Sequence, residues 1–217
     1  MTDVDLTSEK STLLQAFLEN AAFDGFSTKG LKAAAHKIGL DYGELQILAP
    51  NGIISMIDYW FLQADDFVIA TLAARKSLKI REKATLAVRS RLEFLGQHRE
   101  ALRHALMILA LPQNLPHSLA IGYRFTDKVW RAFGDKSTDF NYYSKRTMLL
   151  AVDASTAACF LGDESEDNIE TWEFLDRRIE NIMQIEKAKF KFREFKAKIP
   201  DPIPLLAGLR FGKRPMP

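Results

Sequence analysis

Apolar residues recur at spacings of three and four along almost the whole of this 217-residue chain. This spacing is the period of an α-helix that buries one face. The alternating, β-branched runs between turns that are typical of half-buried strands are absent from the sequence. The pattern therefore predicts an all-α protein of nine or ten helices. With 217 residues, 47% of them apolar, the chain is long enough to bury a core as one domain, or as one domain with a small appendage.

Glycine, proline and capping residues divide the chain into predicted helices. A Thr28 cap is expected to begin the second helix, and Asp167 with Glu170 forms a capping-box pattern at the start of the last. After Arg146 the eighth segment is apolar on almost all sides, which predicts a central buried helix. In chain order the predicted helices span residues 7–24, 28–39, 42–49, 53–74, 79–96, 98–111, 116–133, 138–161 and 167–195.

The first three predicted helices contain the Thr28 cap, an Ala33–Ala35 run and a turn at Gly39. They resemble the helix-turn-helix of the TetR family of repressors. This resemblance implies a TetR-like bundle, with residues 1–50 as a degenerate helix-turn-helix region and 51–198 as a helical body that can open into an apolar pocket. A ligand-responsive TetR-type transcription regulator is accordingly one candidate function.

The charge of the third-helix region opposes DNA binding. Between residues 38 and 74 there is no Lys, Arg or His. A helix in the major groove needs cations near it to hold phosphates, whereas this region brings negative charge towards them. We therefore expect no DNA binding through this surface, which carries Asp41, Glu44, Asp58, Asp65 and Asp66.

Residues 126–146 carry an unusual density of aromatic side chains around a helix end, a turn and a new helix start. Gly134 and Asp135 break the first helix, and residues 137–139 can satisfy the free amides at the start of the next. Aromatics in one helical turn cannot all face one core, so some should reach the surface as partner contacts. A well-capped core helix is the alternative interpretation.

This segment resembles the family of coenzyme Q biosynthesis protein nine, which carries D-x-x-W-x-x-x-G-D followed by S-T-D-x-N-[WY]-Y-x-[KR]-R. A downstream match to D-x-x-x-T-W-x-F-L-x-x-R covers residues 167–178. The resemblance is specific over about residues 110–190, a domain of the ubiquinone biosynthesis C-terminal type. The upstream matching residues are Asp127, Trp130, Gly134, Asp135, Ser137, Thr138, Asp139, Asn141, Tyr142, Tyr143, Lys145 and Arg146.

The resemblance implies a non-enzymatic, lipid-binding accessory protein of ubiquinone biosynthesis. Such a protein presents polyprenylated quinone intermediates to a di-iron hydroxylase at the membrane, and a homodimer is expected by the same analogy. The implied partners are therefore a lipid or isoprenoid quinone, the hydroxylase and a membrane surface. The hydroxylase-binding candidates are Trp130, Asp139, Tyr142, Tyr143 and Arg146.

Three predicted helices supply candidates for a lipid pocket, although ordinary core packing is the alternative for each one. Asp153 is the polar exception in this wall, as a buried hydrogen-bonded carboxylate or as a residue facing solvent. The pocket candidates are Trp60, Phe61, Phe67, Leu119, Tyr123, Val129, Met148, Leu149 and Val152.

The tail, residues 199–217, combines prolines with a short amphipathic stretch. Residues 187–214 carry nine basic and two acidic side chains. Such a segment can lie on an anionic bilayer, and nucleic-acid binding by the basic run is the rival interpretation. The membrane-contact candidates are Ile203, Leu205, Leu206, Leu209, Arg210 and Phe211.

No catalytic, cofactor or metal motif occurs in the sequence, so we expect no cofactor, no metal and no enzyme activity. The four histidines lack metal-ligand spacing, and no phosphate-binding loop or dinucleotide fingerprint is present. An enzyme with an undetected site would need a bound metal or cofactor. The single cysteine and an amino terminus without leader features predict a cytoplasmic, peripherally membrane-associated bacterial protein.

Overall fold

The computed structural model describes residues 3–75, 77–138 and 140–198. Within these ranges the chain forms nine α-helices joined by turns and three short 3-10 helices, so the all-α prediction is confirmed. The tail candidates at 203–211 lie outside the described residues. The α-helices are α1 Asp3–Asp24, α2 Thr28–Lys37, α3 Tyr42–Leu48, α4 Ile53–Ala74, α5 Ile80–Leu95, α6 Arg99–Leu109, α7 Leu115–Ala132, α8 Phe140–Gly162 and α9 Ile169–Lys198.

Local capping chemistry sets several helix starts, and two of them differ from the predicted caps. Helix α2 is capped by Ser27, whose Oγ accepts from the Gly30 amide at 2.9 Å, so Thr28 is the first helical residue instead of the cap. The start of α9 is held by Asp163, which accepts from the Thr171 amide at 2.8 Å. The predicted cap Asp167 lies one turn later in a left-handed conformation, with φ of 53°. Sequence spacing alone could not decide between the two aspartates.

The chain divides into two compact units, residues 1–179 and 180–217. In the first unit α4 packs against α5 and α7, α7 packs on α8, and α1 lies against α2 and α6. Aromatic contacts join the amino-terminal helices to α4, because Phe26 stacks on Trp60 at 6.1 Å and meets the edge of Phe17 at 4.7 Å. In the second unit, the described residues 180–198 are helical.

Helix α8 is buried along one face only, so the prediction of a helix buried on almost all sides is wrong. One face is buried through residues such as Leu149, Val152 and Phe160. The opposite face exposes small residues. They count as apolar in the sequence, but each has little apolar surface to bury. These exposed residues are Thr147, Ala151, Ala154, Ala158 and Gly162.

Candidate ligand-binding cavity

A cavity of about 680 Å³ lies among helices α4 to α8. This is within the range of roughly 300–1,000 Å³ that is usual for small-molecule sites. Most of its wall is aliphatic, and exposed alanines on α8 line its outer part. The wall includes Leu92, Leu95, Leu102, Leu106, Ile121 and Leu161.

A glycine allows α7 and α8 to approach each other beside this cavity. A Cβ atom added at Gly122 would lie 2.3 Å from Cδ1 of Leu150, and both residues line the cavity. That separation is far below ordinary van der Waals contact, so any side chain at position 122 would displace Leu150. The local shape of the cavity therefore depends on a residue without a side chain.

A chain of paired charges reaches the cavity from α4, and it is buried at Asp65, Arg91 and Asp153. The guanidinium of Arg91 donates from Nη1 to Asp153 Oδ2 at 2.5 Å and from Nε to Asp65 Oδ1 at 3.1 Å. The second oxygen of Asp65 accepts from Arg124 Nε at 3.1 Å, and Arg124 also donates to Asp58 at 2.5 Å. Of these five residues, Arg91 and Asp153 line the cavity.

Packing and burial fix the cavity end of this charge chain. The Arg91 guanidinium lies 4.0 Å from the ring centre of Phe125 and 5.1 Å from that of Phe61, so two aromatic faces hold it. Burial raises the pKa of the Asp153 carboxyl, and the negative charge of Asp65 adds to that effect, while Arg91 opposes it. Asp153 is thus the buried, hydrogen-bonded carboxylate of the two alternatives that its sequence position left open.

A second ion-pair cluster lies between α7 and α8 and contains Asp127, Asp135, Lys145 and Arg146 of the 127–146 motif. Arg146 donates to Asp127 at 2.8 Å and to Asp135 at 3.3 Å, and its guanidinium lies 3.5 Å from the ring centre of Tyr142. Only 2% of its side chain is exposed. Lys145 also donates to Asp135, at 2.7 Å. Arg146 therefore joins two helices and does not offer its charge to a partner.

Hydrogen bonds to both aspartates of this cluster lower their pKa values. Burial alone would raise the pKa of Asp135, but hydrogen bonds from Lys145, Ser137 and Arg146 lower it to about 2. The pKa of Asp127 is lowered in the same way: burial opposes the shift, and hydrogen bonds from Arg146 and Arg131 outweigh it. Both carboxyl groups are thus ionised at neutral pH.

Three tyrosines meet at the edge of this cluster and form what we call the tyrosine surface: Tyr123, Tyr142 and Tyr143. Tyr143 is 62% exposed and Tyr123 40% exposed. The Tyr123 hydroxyl donates to that of Tyr142 at 2.9 Å, and Tyr142 donates to Asp127 at 3.1 Å. The hydrogen bond to Tyr142 is the main cause that raises the pKa of Tyr123 to about 12. The tyrosine surface combines exposed aromatic area with fixed hydroxyl groups.

The remaining candidates for hydroxylase binding have different environments. Trp130 is half-buried, meets Phe133 edge-on at 5.4 Å and has the Lys145 ammonium 5.2 Å from the centre of its ring. Asp139 lies outside the described residues. Of the five candidates, Tyr143 has the large exposed side chain that a docking aromatic needs.

The nine candidates for the lipid pocket occupy different positions in the structure. Phe61 lines the cavity. Trp60, Val129, Leu149 and Val152 are buried in the surrounding core, because apolar periodicity identifies burial and does not separate a packed residue from a cavity wall. None of these four lines the cavity. The remaining four candidates do not line it either, and they are half-buried or exposed: Phe67, Leu119, Tyr123 and Met148.

Sequence reasoning missed the polar end of the cavity. Arg91 lies in a predicted helix without any motif around it, and Asp153 is 62 positions away in sequence. A charged residue within an apolar stretch was the available signal for Asp153, and Arg91 gave none. In the described ranges, no three His, Cys, Asp or Glu side chains are grouped closely enough to hold a metal ion.

The helix order and packing define this molecule as an all-α protein with a TetR-like fold. A solved structure of a TetR transcriptional regulator from Nitrosomonas europaea matches it with a TM-score of 0.65, covering 79% of this chain and 96% of that chain. The two sequences are 18% identical, so the match shows the fold alone. The predicted scaffold is confirmed.

Residues 115–186 match the COQ9 family, so the family resemblance seen in the sequence is confirmed. The ubiquinone biosynthesis protein COQ9 of Homo sapiens is 30% identical over 80% of this chain, and a probable COQ9 of Dictyostelium discoideum is 28% identical over 85% of it. The chain spans 57% and 63% of the lengths of these two relatives. Both relatives are named as ubiquinone biosynthesis proteins.

The expected cellular location is wrong. The relatives from Homo sapiens, Rattus norvegicus, Dictyostelium discoideum and Bos taurus are mitochondrial by name, which contradicts a cytoplasmic bacterial protein. The expectation rested on the single cysteine and on the composition of the amino terminus. Separately, no helix among the described residues has both the length and the apolarity needed to cross a bilayer.

Proposed function

We propose that this protein is a non-enzymatic accessory of ubiquinone biosynthesis that holds an isoprenoid or quinone-type lipid in the cavity among α4 to α8. The observation that carries the proposal is the cavity of about 680 Å³, whose wall is mainly aliphatic and includes the charged side chains of Arg91, Asp153 and Arg103. Burial of a long apolar chain against such a wall is favourable by about 25 cal/mol for each Å² removed from water. The polar end supplies orientation, which an apolar wall cannot.

The same proposal gives the tyrosine surface the role of docking the pathway's hydroxylase. Exposed aromatic side chains are enriched among the residues that dominate protein interfaces. Tyr143 exposes most of its side chain, and Tyr142 is held in place through Asp127, so the surface is ordered before a partner arrives. Contact of residues 203–211 with a membrane belongs to the proposal as well, as does a homodimer.

Direct binding of 2-geranylgeranyl-1,4-benzoquinone tests the cavity. Ala158 is exposed and lines the cavity, so Ala158→Trp should fill its outer part and weaken binding at least tenfold. Ala151 is exposed on the same face of α8 but does not line the cavity, so Ala151→Trp is the matched control. Equilibrium dialysis gives the two affinities. Absence of binding to the unmodified protein, or equal binding by the two variants, would contradict the proposal.

A ligand-responsive regulator is the second candidate, because the TetR-like fold supports it. The charge of α3 opposes it: Asp41 and Glu44 form the capping box of that helix, with both hydrogen bonds at 2.8 Å. A gel-shift titration at low salt distinguishes the candidates. Sequence-specific, nanomolar DNA binding would favour the regulator over the accessory protein.

A further inference from the structure

The Arg91–Asp153 pair keeps hydrogen-bonding capacity that no described residue uses. Both side chains are more than nine-tenths buried, with exposed fractions of 4% and 8%. Nη2 of Arg91 and Oδ1 of Asp153 are buried and have no hydrogen-bond partner among the described residues. Buried polar atoms in native proteins are nearly always hydrogen-bonded, since an unpaired one loses its water without replacement. These two atoms of the pair therefore need a further hydrogen-bond partner.

The unused capacity is confined to the cavity end of the charge chain. Both oxygens of Asp65 accept hydrogen bonds, one from Arg91 and one from Arg124. At the other end Arg124 donates through Nη1 to a carboxylate oxygen of Asp58 and through Nη2 to its carbonyl oxygen. Arg91 and Asp153, which have atoms without partners, are the two members of the chain that line the cavity. The location therefore indicates a ligand in the cavity as the missing partner.

The chemistry of the two side chains restricts the group that can serve both. A guanidinium offers donors only, and an ionised carboxylate offers acceptors only. A carbonyl or an ether oxygen can accept from Arg91 but cannot donate to Asp153, and a ligand carboxylate would be repelled by Asp153. A hydroxyl group accepts and donates, so it complements the whole pair.

We propose that Arg91 and Asp153 form the head-group subsite of the cavity and select lipids whose polar end carries a free hydroxyl, in preference to otherwise equal molecules without one. This inference rests on the proposed function, because it concerns the ligand of the same cavity. The apolar tail lies along the aliphatic wall, and the hydroxyl-bearing ring lies at the charged end. Phe61 and Phe125 keep the guanidinium in place for this contact.

Two chain-matched probes test the selectivity on the unmodified protein: 2-geranylgeranylphenol and its O-methyl ether. They share the tail and ring, and the ether has lost the hydroxyl proton. We expect the phenol to bind about tenfold more tightly, since hydrogen bonds to charged groups are among the stronger ones. Equal affinities would overturn the subsite while leaving the cavity's role as a lipid site intact. If neither probe binds, the proposed function fails together with the subsite.

Asp153→Asn assigns the selectivity to this residue. An amide can donate to the ether oxygen as well as accept from the phenol, so the preference should fall to about threefold or less. Asp58→Asn is the matched control, because Asp58 ends the same charge chain but does not line the cavity. It should keep the full preference for the phenol. A preference that survives in Asp153→Asn, or that is lost equally in both variants, would overturn the assignment.

Discussion

The guanidinium of Arg146 lies 2.8 Å from the carboxylate of Asp127, and this bond joins α8 to α7 and connects the two ends of the 127–146 motif. The two residues are 19 positions apart, and the turn between them supplies Asp135 as a second acceptor for the same guanidinium. Part of the motif that marks the family is therefore a structural clamp. Its aromatic neighbour Tyr143 remains available at the surface.

Removing the clamp should destabilise the fold. Arg146→Ala leaves two partly buried carboxylates without their shared cation, which we expect to lower the free energy of unfolding by about 3 kcal/mol. Arg131→Ala is the control, because Arg131 donates to Asp127 as well but has a 70% exposed side chain. It should be close to neutral. Urea unfolding followed by circular dichroism measures both variants, and similar losses in the two would contradict the clamp.

Acid should weaken the same cluster in a defined pH range. The pKa of Asp135 is about 2 in the folded protein, against an ordinary value of 3.8, so the unfolded chain binds more protons between these values. The stabilisation that the ionised Asp135 gives the folded protein is therefore complete above about pH 4 and is lost as the pH falls towards about 2.

Asp135→Asn tests this pH dependence. The variant should be less stable than the unmodified protein at pH 7, and the difference should shrink as the pH falls through that range. Denaturant midpoints measured at pH 7, 4 and 2.5 give the comparison. A difference that stayed constant with pH would show that Asp135 does not carry the effect.

The close approach of Gly96 to Phe160 predicts a steric cost. A Cβ atom at position 96 would lie 2.6 Å from Cζ of Phe160, whose ring is buried. Gly96→Ala should therefore destabilise the protein by about 2 kcal/mol, as overpacking does. Gly162→Ala meets nothing within 4 Å and should change stability by less than about 1 kcal/mol. Thermal unfolding measures the stability of both variants. Unchanged stability in Gly96→Ala would show that the Phe160 ring can move aside without cost.

Asp163 should matter more than Asp167 for the start of α9. The Asp163 carboxylate accepts hydrogen bonds from the amide and the hydroxyl of Thr171, at 2.8 and 2.5 Å. It also accepts from the amide and the hydroxyl of Ser165. These hydrogen bonds, first from the Ser165 hydroxyl, lower the pKa of Asp163. Asp163→Ala should lower the melting temperature more than Asp167→Ala does. The reverse order would restore the cap that the sequence pattern suggested.

Docking at the tyrosine surface should depend on the exposed ring. Tyr143→Ala should weaken binding to the ubiquinone-pathway hydroxylase by about 2 kcal/mol while leaving the circular dichroism spectrum unchanged. Tyr42→Ala is the control, because Tyr42 is 67% exposed on α3 and lies outside the tyrosine surface. Surface plasmon resonance with the purified hydroxylase measures both. Unchanged affinity in Tyr143→Ala would remove this residue from the interface.

Local sequence determined the helices and the resemblance to the COQ9 family. Helix α4 begins at Ile53 and ends at Ala74 as predicted, because Gly52 precedes it and its apolar residues keep the helical period. The motif at residues 127–146 was recognisable for a similar reason, since it lies in one short stretch. Helix period, caps and motifs depend on neighbours within a few positions, so the sequence alone contains them.

The tertiary structure decided which residues share a site. Apolar periodicity marked Trp60 and Phe61 alike, yet only Phe61 lines the cavity, because period reports the buried side of a helix and not the gaps left between helices. The pairing of Arg91 with Asp153 joins α5 to α8 across 62 positions. Burial, charge pairing and cavity shape arise from the packing of whole helices, and only the folded chain fixes that packing.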